Sequence, residues 1–434
     1  MKKYKSCKYI ENSLYLAPNE IRACCQRFHH KGKMRGDAVL LDTSKIKDNK
    51  IDSSTIKVAR EKMNNLLQED KIDACLGCRY IENVENKPKI KSDVNFLSIE
   101  HHSFCNLRCT YCSEIYYGGQ KPNYDVLHLI TSLKEEGKLK TCDQVVWGGG
   151  EPTLEKDFEK LVIEINKTAS PKIYHRIFTN SVRYSAPIFN FLKQNLIKIV
   201  TSIDAGTRET YKKIRGRDKY NDVYDNLIKY SEAGANNITI KYIITEENNS
   251  KLEFESFAKK FSKGELKNAC YQISLNYKYE KLTIENFNSA LFLMHTLYKN
   301  GINKVFIDDH ILAKLVELNG QNLKTVKDFL KKNDISNLII DKTKHNSLIL
   351  YGAGQIAKEI IEKTLYFKDN LNFDIVDENK VNQKFLGKIV KNPDTIKEDQ
   401  RSIYITSAQS YDTIYSNIVK LKGDNVKILT GVFI

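Results

Sequence analysis

The chain has 434 residues, 41% hydrophobic and 28% charged. At roughly 100–200 residues per domain that is room for two to four folded domains, and it excludes disorder as the main state. The formal charge of +15 comes from 57 Lys and 12 Arg spread over every region. Base and phosphate recognition favours clustered Arg, so a diffusely Lys-rich surface is expected and no nucleic-acid partner. No apolar run reaches the ~18 residues of a membrane span. The basic start lacks a following apolar stretch, so a cytoplasmic protein with no membrane partner is expected.

Ten cysteines occur, eight of them within the first 112 residues and none after 270. In a reducing cytosol this clustering points to metal or redox chemistry rather than disulfides. The first set is Cys7, the pair Cys24-Cys25, and Cys75-Leu-Gly-Cys78. Residues 7–24 read as a hairpin closing on its own cysteines. CxxC lets both sulfurs of one tight turn face one metal, and two remote thiols complete four-coordination. Adjacent strand residues face opposite ways, so one of Cys24 and Cys25 serves as ligand; which one is left open. Zinc and an iron-sulfur cluster both suit this set.

From residue 94 onward, short β-branched or aromatic runs (94–100, 144–147, 173–178, 198–203, 237–244, 271–277, 304–307) alternate with helix-like stretches (124–136, 156–167, 187–195, 220–233, 252–262, 284–299). This rhythm predicts a parallel sheet with crossover helices, with chemistry at the carboxyl ends of the strands. After the first run stand His101-His102, read as turn histidines, and then Cys105-Asn-Leu-Arg-Cys109-Thr-Tyr111-Cys112. Three thiols at this spacing can hold three irons of a 4Fe-4S cube and leave the fourth iron open. A structural zinc site and core cysteines on one helical face are the alternatives. The second run ends in Gly148-Gly149-Gly150-Glu151-Pro152, the third in Thr179-Asn180-Ser181, and the fourth in Ser202-Ile-Asp204, followed by Lys213-Ile-Arg215-Gly216. Cys142 precedes the second strand and Cys270 begins the sixth; both read as core thiols.

Residues 321–340 predict a connecting helix. Beyond it, strand 346–351, Gly352-Ala-Gly354-Gln-Ile-Ala357, a helix, and strand 372–376 ending at Asp377 form the first half of a dinucleotide-binding unit, with Asp377 as the candidate ribose ligand. At about 90 residues the region lacks the second half of that fold, and ligand-free structural use is an equal reading.

The CxxxCxΦC loop, with the later segments in the same order, resembles the radical S-adenosylmethionine (radical SAM) superfamily over roughly residues 93–315. The first cysteine set is similar to the auxiliary-cluster modules called SPASM and twitch, although those normally follow the barrel. The tail resembles a small Rossmann-like module attached to polysaccharide and nucleotide-sugar enzymes. The resemblance implies an α/β fold with a partial (β/α)6 barrel at 93–320, an α+β cysteine-rich domain at 1–92, a connecting helix at 321–344 and a Rossmann-like domain at 345–434. It implies that Cys105, Cys109 and Cys112 bind a 4Fe-4S cluster whose open iron takes S-adenosylmethionine, and that Cys7, Cys24 or Cys25, Cys75 and Cys78 hold a second. Tyr111, Gly149, Gly150, Glu151, Asn180, Ser202, Asp204 and Arg215 would contact S-adenosylmethionine. The reaction implied is reductive cleavage to a 5'-deoxyadenosyl radical that takes hydrogen from a small hydroxylated substrate, such as a nucleotide-sugar or glycan precursor. Electrons would come from an external donor such as flavodoxin or ferredoxin. Loss of an electron to the second cluster gives net oxidation; return of hydrogen from a protein thiol gives epimerisation. A peptide-modifying maturase and a non-catalytic iron-sulfur or zinc regulator are the competing readings.

Overall fold

The structure is a computed structural model that describes residues 3–46, 50–114, 117–171, 173–279, 283–309, 311–312, 320–341, 343–368, 372–408, 410–423 and 426–433. Its contacts divide the chain into two units, Met1–Thr201 with Arg215–Ile238 and Ser202–Ile214 with Thr239–Ile434.

In the first unit, strands Phe96–Ile99, Gln144–Trp147, Tyr174–Phe178 and Ile197–Ser202 pair in chain order, all parallel. Ser98, Val146, Arg176 and Lys198 lie in one row of the register. Alternation does the sorting: Leu97, Ile99, Val145, Trp147, Ile177, Ile197 and Ile199 are buried on one face, as a sheet covered by helices requires. The crossover helices Val126–Glu135 and Phe158–Thr168 start at Asp125 and Asp157, and each buries an apolar stripe headed by Leu129 and Leu133 or Leu161 and Ile165. Trp147 packs edge-on against Phe158 at 5.3 Å and donates its indole N–H to His175 Nδ1 at 3.2 Å.

The predicted N-terminal hairpin is present: Ser13–Leu16 pairs antiparallel with Glu20–Cys24, which pairs with Ala38–Asp42. Ser13–Leu16 also runs parallel to Phe96–Ile99, so the hairpin continues the sheet of the first core strand. Arg60, on helix Ser53–Gln68, fixes this arrangement. It is 0% exposed and donates to the carbonyls of Lys91, Asp93 and Ser13 at 2.9–3.0 Å.

In the second unit, Ile238–Ile244, Cys270–Leu275 and Val305–Ile307 are parallel. Together with the first unit's four strands they match the seven expected runs, and the fold class is α/β with the expected parallel β-then-α construction. Helix Arg208–Arg215 was not expected: six of its eight residues are polar, and Tyr211, Ile214 and Arg215 bury. The buried Glu253 carboxylate organises its start, accepting from Gly206 N–H (2.6 Å), Thr207 and Thr210.

The connecting helix is shorter than expected. It spans Gly320–Lys332 and ends where Asp334 turns left-handed at φ +56°; Ile339–Ile340 then forms a strand parallel to Val432–Phe433. The tail is a four-stranded parallel sheet in the order Phe373–Val376, Leu348–Tyr351, Ser402–Ile405, Ile428–Leu429. Asp377, the candidate ribose ligand, accepts from the N–H groups of Ala353 (2.8 Å) and Asn379 (2.8 Å). It closes the glycine turn from within. Among the described residues, no helix is long and apolar enough to cross a membrane.

Candidate metal centres

The loop carrying Cys105, Cys109 and Cys112 follows the first core strand and has little regular structure of its own, so neighbouring segments must hold it. The glycine turn after the second strand lies flat against it. Gly150 N–H donates to His102 O (3.0 Å) and Glu151 N–H to Phe104 O (2.6 Å). A Cβ on Gly150 would stand 2.1 Å from Phe104 O, and one on Gly149 (φ +81°) 2.8 Å from His102 O. These glycines therefore permit backbone to meet backbone beneath the loop.

Glu151 is buried, and its carboxylate ties three segments together. It accepts from Thr153 (2.7 Å through the hydroxyl), from the Thr179 hydroxyl (2.8 Å) and from Asn180 N–H (2.6 Å). Burial raises its pKa, while these bonds favour the ionised form. Asn180 reaches further. Its amide donates to Asn106 Oδ1 at 2.6 Å and to Cys105 Sγ at 3.7 Å.

The third supporting segment ends the unexpected helix. Arg215 is buried, donates to the Tyr111 hydroxyl, and accepts the Arg108 N–H on its carbonyl at 3.1 Å. Gly216 is left-handed at φ +73°, and a Cβ there would meet Arg108 O at 2.4 Å. Tyr111, Glu151, Asn180 and Arg215 thus converge on the cysteine loop, each with a described partner. Ser202 and Asp204 belong to the second unit, where Asp204, buried and left-handed at φ +59°, accepts from Ile243 N–H at 2.7 Å. Ser202 stands half-buried at a strand end.

The N-terminal cysteines separate into two groups. Cys7 heads the short helix Lys8–Asn12, Cys24 ends the hairpin opposite Ala38, and Cys75 and Cys78 flank a turn in which Cys78 N–H donates to Cys75 O at 3.1 Å. Gly77 (φ +75°) makes this turn fit, because a Cβ there would enter the His30 ring. Each of Cys7, Cys24, Cys75 and Cys78 interacts electrostatically with others of the four. Cys25 faces the other way, toward Tyr15 and Glu100. Desolvation pushes the thiols of Cys7 and Cys112 up to about 11 and of Cys75 to about 12, and raises Cys24, Cys78 and Cys105. Sulfurs that must lose protons in so dry a setting need a cation to take. Among the described residues, no three cysteine sulfurs fall within 4.8 Å of one another. Sulfurs around one tetrahedral zinc would stand about 3.8 Å apart, given Zn–S of ~2.3 Å.

Sequence reasoning passed over Glu100, which directly follows the first core strand and hydrogen-bonds with Tyr15. It belongs to no recognised motif; its only signal is a carboxylate at the carboxyl end of a buried strand. His101 and His102 do more than close a turn. His101 Nε2 stands 3.6 Å from Glu155, whose carboxyl is held down near about 2, chiefly by His101, and one ligand atom of each of the three lies within 4.8 Å of the others. His102 Nδ1 accepts the Phe104 N–H at 3.2 Å, and burial holds this imidazole neutral, down to about 4.

A parallel α/β sheet with a three-thiol loop braced at its strand ends is the arrangement in which three thiols can hold a metal centre. Residues 99–257 match the family model described as the Radical SAM superfamily, over about a third of the chain. Curated relatives include a GTP 3',8-cyclase of Haemophilus influenzae (strain PittEE), 30% identical over 155 residues, which are 35% of this chain and 45% of that enzyme. Another, from Pasteurella multocida (strain Pm70), is 27% identical over 182 residues, 41% of this chain and 53% of that enzyme. The chain spans about half the length of the curated relatives it matches. Among solved structures, anSMEcpe with bound AdoMet is similar at 21% identity over 51% of this chain and 65% of that one, TM-score 0.40. Streptococcus suis SuiB bound to S-adenosylmethionine is similar at 15% identity over 62% and 59%, TM-score 0.42.

Proposed function

We propose that this enzyme takes a hydrogen atom from a small hydroxylated metabolite, with two 4Fe-4S clusters, one at Cys105, Cys109 and Cys112 and one at Cys7, Cys24, Cys75 and Cys78. The observation that carries this reading is the bracing of the 105–112 loop by three separate segments (148–151, 179–180 and 215–216), which fixes three thiols and supplies no fourth cysteine. When bound, the cluster and S-adenosylmethionine supply one-electron cleavage of the sulfonium and hydrogen abstraction from the substrate. The chain's part is positional. Asn180 donates a hydrogen bond to the Cys105 sulfur, Arg215 holds the loop through the Tyr111 hydroxyl, and Glu151 locks the second and third strand ends together.

A hydroxylated small molecule accords with the relatives, whose printed name makes GTP their substrate; a nucleotide-linked sugar or glycan precursor is the form favoured by the tail module. The outcome at the substrate carbon is oxidation or epimerisation, and the cytoplasmic setting and a flavodoxin- or ferredoxin-type reductant belong to the same proposal. The test is anaerobic reconstitution with iron and sulfide counting, alongside 5'-deoxyadenosine release. Two cubes are expected in the parent and one in a Cys105→Ala, Cys109→Ala, Cys112→Ala variant, which also stops releasing 5'-deoxyadenosine. A parent that holds one cube removes the second cluster. A triple variant that still cleaves S-adenosylmethionine removes the assignment.

A further inference from the structure

The parallel sheet of the first unit has two faces of different character. Trp147 packs on Phe158 of a crossover helix, so Trp147 and its alternate neighbours face the helices, where Val145, Ile177 and Ile199 are 0% exposed. Tyr174, Arg176 and Phe178 of strand Tyr174–Phe178 point the opposite way, as does Lys198, which pairs with Arg176 in register. There Tyr174, Arg176 and Lys198 are half-buried and Phe178 is 40% exposed, although strands flank Tyr174–Phe178 on both sides. Parallel sheets are ordinarily covered on both faces, so an aromatic ring left open on an inner strand marks space for a ligand.

Two cations border that space. The Arg176 guanidinium lies 5.4 Å and the Lys198 Nζ 4.9 Å from the centre of the Tyr174 ring, and Arg176 donates to the Tyr174 hydroxyl at 3.3 Å. One ring therefore holds both head groups in place. Like charges on neighbouring strands repel, and an anion with several oxygens turns that repulsion into attraction. The fork of a single Arg matches a carboxylate; a phosphate has a further oxygen and a further charge for the Lys ammonium. Phe178 stands two residues on, roughly 7 Å along the strand, a step that a nucleotide spans between its phosphate and its base. Thr179 and Asn180 follow, and Asn180 donates to Cys105 Sγ at 3.7 Å, so a molecule held by its phosphate at Arg176 extends toward the cysteine loop.

We propose that Arg176 and Lys198 bind the phosphate of a nucleotide-type substrate whose base lies on the Phe178 ring. This rests on the reaction proposed above and narrows its small hydroxylated metabolite to a phosphate ester. The phosphate end is anchored at mid-strand, away from the cysteine loop, and the sugar and base lie on the loop's side. Tyr174 positions the two cations.

The test is equilibrium dialysis of reconstituted protein against uridine diphosphate, uridine and succinate. The parent is expected to bind uridine diphosphate more tightly than uridine or succinate by roughly tenfold or more, and Arg176→Met and Lys198→Met are each expected to weaken it by roughly tenfold or more. Phe178→Ala is expected to weaken it by roughly fivefold or more. Lys62→Met, at an exposed position of helix Ser53–Gln68, controls for attraction to the generally basic surface and is expected to bind as the parent does. The proposal is overturned if uridine or succinate binds the parent as tightly as uridine diphosphate, a result read without any variant, or if Arg176→Met and Lys198→Met lose no more than Lys62→Met. The same protein is given S-adenosylmethionine and a reductant, and 5'-deoxyadenosine is measured. Release without uridine diphosphate binding overturns this site and leaves the radical reading standing; binding in the expected pattern without release supports the site and removes the radical reading alone.

Discussion

Gly216→Ala tests the bracing of the cysteine loop from more than a hundred residues away. A left-handed conformation costs a residue with a Cβ about 1–2 kcal/mol. The new Cβ also enters the Arg108 carbonyl at 2.4 Å, a backbone atom that cannot rotate aside. Crowding of this kind costs about 1–3 kcal/mol, so the sum is about 2–5 kcal/mol. Gly301→Ala is the control, because Gly301 has the same backbone hand (φ +77°) and nothing within 4 Å of its built Cβ; it bears the first cost alone. Urea unfolding of the iron-free proteins gives the two stability losses, and iron content after reconstitution shows whether the loop still takes its cluster. Gly216→Ala is expected to lose the larger amount and to bind less iron, with Gly301→Ala iron unchanged. Equal losses and equal iron would refute the claim that the Arg108 contact, rather than backbone hand, is what this glycine serves.

Arg60→Met removes the donors that satisfy three carbonyls, and the variant should lose about 3–5 kcal/mol of stability in denaturant titrations; a loss under ~1 kcal/mol would show that water replaces the guanidinium. Glu151→Gln turns one acceptor oxygen into an amide that meets a donor, so about 1–3 kcal/mol should be lost and the Asn180 amide should exchange faster with deuterium. His175, like His102, is held neutral by burial, to about 4 against an ordinary 6.5. The unfolded chain takes up these protons first as pH falls, so stability is full above pH 6.5 and drains toward pH 4 by up to about 3 kcal/mol per histidine. Raised carboxyls such as Glu151 pull the opposite way, so the measurement is the difference in pH slope between the parent and His175→Gln, and identical slopes would contradict it. Asp377→Ala strands the N–H groups of Ala353 and Asn379 and should lower the tail's unfolding temperature, measured calorimetrically.

The sequence carried the barrel because its seven strands are short β-branched runs with long helices between them, and each side of that alternation reports burial directly. The three cysteines of residues 105–112 stand out in the sequence because their spacing is local. What stayed hidden depends on contacts between distant segments. The strand rule says that Cys24 and Cys25 diverge, and only the fold shows that Cys24 faces the other thiols. Gly149 and Gly150 read as close contacts to a cofactor, yet part of that space is filled by the backbone of His102 and Phe104. Asp204 and Asp377 look like free carboxylates at strand ends and prove to be bonded to neighbouring N–H groups. Helix Arg208–Arg215 escaped notice because its stability comes from the Glu253 carboxylate and three buried side chains, not from an apolar stripe.

The parallel ladder from Ser13–Leu16 to Phe96–Ile99 has a practical meaning for anyone trimming this protein. A version starting after residue 92 would bare the backbone flank of a strand whose side chains are almost wholly apolar, the kind of open template on which chains stack into insoluble aggregates. The cysteine-rich segment thereby serves as a lid on a sticky margin, whatever it binds, and its loss should show first as poor yield of dissolved protein rather than as missing catalysis.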